Sequence, residues 1–107
     1  MINLTYIARF EASLKSGKPT DSLHRLAIDL RAEGISQLDL YLLFERFHVL
    51  TPEGTDDDSF TDNMDYIWGG PWAKGNALFP EEITIDRLTQ YTGKTTKERV
   101  HEIENNL

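Results

Sequence analysis

Between residues 51 and 70 the chain carries six acids, Glu53, Asp56, Asp57, Asp58, Asp62 and Asp65, and no lysine or arginine. Elsewhere the charges nearly cancel. Residues 1–50 hold six basic and six acidic side chains, and residues 71–107 hold five and six. The formal net charge of −7 therefore sits almost wholly in one segment. Carboxylates grouped in this way can cap a helix and complement its dipole. They can steer a basic surface into contact. They can also hold a metal ion, but a calcium loop needs acids at alternate positions, a glycine and a closing Glu. Phe60 occupies the third alternate position counted from Asp56, and no Glu follows at the closing distance. The expectation is no metal, which leaves capping and docking.

Trp68 and Trp72 flank the Gly69-Gly70-Pro71 turn beside these acids. Core anchoring is the first reading for both. A partly exposed aromatic anchor is the second, because Trp is enriched at binding hot spots. If the segment docks a partner, the contact residues are Asp56, Asp57, Asp58, Asp62 and Asp65, with Trp68 or Trp72 beside them.

Other chemistry is sparse. His24, His48 and His101 are far apart, and none falls in an H-E-x-x-H spacing. They read as helix-surface or core-edge residues. No G-x-S-x-G elbow is present. Gly69, Gly70, Lys74 and Gly75 make a glycine-rich loop with a lysine, but without the Walker spacing and with no strand before it. No cofactor, catalytic residue or enzymatic function is expected. Cysteine is absent, which excludes disulfides and thiolate chemistry and fits a cytoplasmic location.

The elements that must position these residues are helical. Ile7, Phe10 and Leu14 share one face of a first helix over 3–16. Leu23, Leu26, Ala27 and Leu30 mark a second, with Thr20 or Asp21 as its cap and Gly34 as its stop. Ser36 caps a third helix over 37–50, with Asp39 in its first turn and Ile35 and Leu40 placed as a hydrophobic staple. Its apolar face, Leu40, Leu43, Phe44 and Phe47, is the widest in the chain and puts it nearest the centre. A fourth helix begins within 56–59 and ends at Trp68, with Phe60, Met64, Ile67 and Trp68 on one face. The loop 69–80 is longer than most connections, yet its Trp72, Leu78 and Phe79 predict that it folds back on the core.

Residues 83–91 allow two readings. Ile83 and Ile85 alternate with Thr84 as in a strand, while Thr84 can also cap a helix stapled by Ile83 and Leu88 and stopped at Gly93. The helix is the favoured one. Thr95 and Glu98 then form a capping box for a last helix carrying Val100, Ile103 and Leu107. The expected fold is an all-α bundle of five or six short helices forming one domain over residues 1–107. No stretch approaches the roughly 20 apolar residues that cross a bilayer. The segment Met1 to Phe10 lacks the pattern of a secretory signal.

The hairpin 83–107 is loosely similar to the DNA-reading helix pair of bacterial regulators. Its Arg87, Lys94, Lys97 and Arg99 are offset by acids, so nucleic acid is a disfavoured partner. Taken whole, the small size, acidity, lack of cysteine, short helices and concentrated acidic segment resemble the small immunity proteins of bacterial toxin systems, such as those opposing contact-dependent or colicin-like toxins. That resemblance is one of type and rests on no motif. It implies a protein that binds and neutralises a basic toxin domain. The alternatives are a DNA-binding regulator using residues 83–107, or an accessory subunit.

Overall fold

The computed structural model of the protein describes residues 4–51 and 57–105. Within them lie six α-helices and no strand: α1 (Leu4–Lys15), α2 (Pro19–Ala32), α3 (Gln37–Leu50), α4 (Asp57–Trp68), α5 (Ile85–Thr92) and α6 (Thr96–Asn105). A single 3-10 turn, Gly70–Ala73, follows α4.

Local chemistry accounts for the helix starts. Ser36 Oγ accepts the Asp39 amide at 3.3 Å, and α3 spans the predicted residues. Thr84 Oγ1 accepts the Arg87 amide at 3.1 Å and opens α5 as a helix, not a strand. Ile83 and Leu88, the staple pair, are both buried. Thr95 and Glu98 complete a reciprocal capping box, with bonds of 3.1 and 3.2 Å between each side chain and the other's amide. One start differs from expectation. Neither Thr20 nor Asp21 caps α2, because Pro19 already occupies its first turn. Proline has its φ preset and no amide to satisfy there. Thr20 is thereby freed to bond Ser59 Oγ of α4 at 2.8 Å.

Helices α2, α3 and α4 pack against one another, α1 lies on α2, and α6 docks on α3. The core is built around aromatic rings. Phe10 of α1 stacks on Phe47 at 4.1 Å and meets Phe44 edge-on at 5.0 Å. Phe60 of α4 lies 6.4 Å from Phe44. Leu23, Leu30, Leu40, Ile67 and Ile83 fill the remaining space and are fully buried. Buried Asn63 ties α4 to α2, donating to the Thr20 carbonyl at 3.1 Å and to the Ser59 carbonyl at 2.8 Å.

On its other side α3 carries a carboxylate inward. Glu45 and Arg99 form a two-pronged ion pair of 2.9 and 3.2 Å, with side-chain exposures of only 7% and 6%. Arg99 also donates to the Lys94 carbonyl and to Thr96 Oγ1, so its guanidinium gathers the α5–α6 turn onto α3. A buried pair of this kind is sustained by geometry and added hydrogen bonds, not by Coulomb attraction alone.

Phe44 touches the rings contributed by both α1 and α4. Replacing it with Ala is expected to cost about 3–5 kcal/mol in chemical denaturation. A midpoint unchanged from wild type would place the centre of the core elsewhere.

Candidate partner-binding surface

Asp58, Asp62 and Asp65 recur at helical spacing along α4, opposite the buried Phe60, Asn63, Met64 and Ile67. Asp58 and Asp62 are exposed. Asp65 is half-buried. Loss of water pushes its carboxyl above the usual range, the Asp62 charge adds to the shift, and Lys74 opposes it. Glu53, Asp56 and the side chain of Asp57 lie outside the described residues.

The end of α4 is bound to the chain that follows it. The Asp65 carbonyl accepts the Gly69 amide at 3.0 Å and the Tyr66 carbonyl accepts the Leu78 amide at 3.0 Å. The Trp68 carbonyl accepts the Ile83 amide at 2.8 Å. Gln37 Nε2, reaching from the start of α3, bonds the Ile67 carbonyl at 3.0 Å and the Glu81 carbonyl as well. Arg31 donates to the Leu78 carbonyl, and Arg87 to the Glu82 carbonyl at 2.8 Å. The loop thus folds back as predicted, with Leu78 and Phe79 packed against the core.

Two glycines permit this return. Gly69 has φ +83°, and a Cβ there would lie 2.9 Å from the Glu81 carbonyl oxygen. Gly70 has φ +60°, and its Cβ would overlap the Glu82 side chain. The glycine-rich loop is therefore a seat for residues 81–82. The acidic side chain beside Gly70 makes it a poor cradle for phosphate.

The same turn separates the two tryptophans. Trp68 is half-buried, edge-on to Tyr41 at 5.2 Å. Trp72 is not a core anchor: it is 62% exposed. The 3-10 turn directs its neighbour Ala73 inward instead, and Ala73 is fully buried. Trp72 and Trp68 line a shallow cleft of about 280 Å³ together with Asp65, Tyr41 and Ile85. Ile85 is 68% exposed. The Tyr41 hydroxyl is pushed up to about 12, by burial first and then by the Glu45 and Asp65 charges, against Arg99.

The cleft thus unites three residues singled out in the sequence, Asp65, Trp68 and Trp72, with two that were not. Tyr41 comes from α3 and reaches the cleft only through tertiary packing. Ile85 left a signal. Once Ile83 and Leu88 are read as the inward staple of α5, an isoleucine at the first helical position has no core to enter.

The three histidines lie outside the lining of the cleft. His24 meets the Tyr66 ring edge-on at 5.5 Å, His48 stacks on Phe60 at 5.5 Å, and His101 shares a hydrogen bond with Asn105. Among the described residues no group of three or more His, Asp or Glu could hold a metal ion. In the C-terminal hairpin Arg99 is buried against Glu45, Lys94 pairs with Glu102, and Arg87 with Glu81. Among the described residues no helix is long and apolar enough to cross a membrane. No protein-family model, curated protein or solved structure matches the chain.

Asp65 yields a pH prediction. Its folded-state carboxyl is shifted upward, so the neutral acid favours folding and that contribution is lost as pH rises through the shifted value. Asp65→Asn removes the charge that burial penalises. Its urea midpoint should match wild type in acid, where both side chains are neutral, and exceed wild type at neutral pH. A variant less stable than wild type at neutral pH would show that ionised Asp65 supports the fold.

Proposed function

We propose that this protein acts by binding a basic protein partner through the acidic face of α4 and the adjoining aromatic cleft. The observation that carries the reading is the exposure of Trp72 and Ile85, at 62% and 68%, beside half-buried Asp65. Large apolar side chains left in water around a cleft are costly unless something covers them. Trp is also a favoured anchor at interfaces. Asp58 and Asp62, exposed on the same helix, supply a field that attracts a positive surface. The partner class that fits is the basic toxin domain implied by the resemblance to immunity proteins, met in a reducing compartment such as the cytoplasm. Support for binding over catalysis comes from the histidines lying apart from one another, His24 against Tyr66, His48 against Phe60 and His101 bonded to Asn105. The DNA-binding alternative loses support because Arg87, Lys94 and Arg99 are each paired with an acid of the chain itself.

Kinetics test this. The partner is isolated as the protein retained by the full chain and lost by Trp72→Ala, and surface plasmon resonance then follows association across a salt series. Asp58→Asn with Asp62→Asn should slow association by about tenfold at low salt, with little change in dissociation. Trp72→Ala should chiefly speed dissociation. Unchanged kinetics in both variants would place the contact elsewhere.

A further inference from the structure

The cleft beside α4 has a composition more specific than an acidic face requires. Three aromatic rings, Tyr41, Trp68 and Trp72, line it together with one carboxylate, Asp65, and with Ile85. We propose that this cleft takes a single arginine side chain of the partner, its guanidinium against the aromatic rings and paired with Asp65. The inference rests on the docking reading above and names the group that anchors it.

Charge complementarity selects the occupant. Among the described residues Asp65 is the only acid that lines the cleft and no basic residue lines it, while Asp62 adds a second negative charge nearby. An anionic ligand would meet both carboxylates. A neutral apolar side chain would fill the space but leave Asp65 with less water and no partner, and a buried carboxylate without a counter-charge is costly. Its carboxyl is already raised by lost hydration, and a bound cation would relieve that strain. Lys74 offsets part of this effect, but it is not among the residues that line the cleft.

Arginine fits better than lysine for two reasons. A guanidinium is planar and weakly hydrated, so it stacks on Trp and Tyr with little loss of solvation. Its fork also matches a carboxylate in two parallel hydrogen bonds, which a single ammonium cannot do. The edge-on packing of Trp68 against Tyr41, at 63° between planes, holds one wall of the cleft in place before any ligand arrives. Trp72, on the opposite side of the Gly69–Gly70 turn, supplies the exposed ring.

The test uses the intact chain and two small probes, N-acetyl-arginine methylamide and its neutral isostere N-acetyl-citrulline methylamide. Both are titrated by two-dimensional NMR, following the indole N–H signals of Trp68 and Trp72. Arginine should shift both indoles saturably, and citrulline should bind at least about fivefold more weakly, as expected for a cation on an aromatic ring. Asp65→Asn, shown to be folded by its dispersed spectrum, should bring the two probes close together. Equal binding of the two probes by the wild-type chain would overturn the proposal and make the cleft a plain apolar slot. Shifts confined to the Asp58 and Asp62 amides, with both indoles unmoved, would also overturn it while leaving the acidic face as a docking surface. Failure of the docking reading itself would appear separately, in the partner kinetics of the Asp58 and Asp62 variants.

Discussion

The last four carbonyls of α4 have no partners within their own helix, and the way they are satisfied organises half of the molecule. A helix end leaves such groups exposed, and a half-buried one must find donors. Here the donors are the Gly69, Leu78 and Ile83 amides and the side chain of Gln37. Two of the four, the Leu78 and Ile83 amides, are brought by a chain that leaves α4, turns at Gly69–Gly70 and comes back alongside it. That return fixes where Ile83 enters the core, where α5 begins, and how Ile85 comes to stand beside Trp72. The cleft is a by-product of capping one helix with its own downstream segment.

A second long-range tie holds the rest of the C-terminal region. Arg99 and Glu45 are 54 positions apart, and their buried pair fixes α6 against α3. The guanidinium also bonds the Lys94 carbonyl and Thr96, so the α5–α6 turn is held by the same group. Just before that turn, Tyr91 in the last turn of α5 donates to Asp39 of α3 at 2.6 Å, which holds the tyrosine hydroxyl above its ordinary range. Asp39 thus has two duties: its amide donates to Ser36 Oγ in the cap, and its carboxylate accepts from Tyr91 and fastens α5. The Ile83 amide fastens the approach to α5 and Tyr91 fastens its last turn to α3, the helix that also brings Tyr41 to the cleft.

What the sequence disclosed and what it hid divide along the range of the interactions. Ser36, Thr84 and the Thr95–Glu98 box act within three residues, and they locate three helix starts without any knowledge of the fold. The periodic burial of Leu23, Leu26 and Leu30, and of Phe60, Met64 and Ile67, is likewise local in origin. The wide apolar face of α3 marked it as central, and its Phe44 and Phe47 rings do meet those of α1 and α4. The Glu45–Arg99 pair was invisible, since a glutamate amid apolar neighbours on a helix gives no sign of which distant cation will reach it. The direction of Trp72 was hidden for another reason. It depends on two glycines adopting positive φ, and a Gly-Gly-Pro run announces a turn without saying which following side chain it sends outward. Of the acids, their clustering on α4 was legible, but the distinct position of Asp65 was not. It follows from the tertiary fold that puts Asp65 in the same cleft as Tyr41 and Trp68.

The cleft is built in advance, because the Leu78 and Ile83 amides fasten the segment 78–83 to the end of α4. Native-state hydrogen exchange of two amides reads this directly. The Leu78 and Ile83 amides, which donate to the Tyr66 and Trp68 carbonyls, should exchange as slowly as the amides in the middle of α4. Exchange at the rate of an unprotected chain at both positions would show that the returning segment does not cap α4, and that the cleft has no fixed wall to offer a partner.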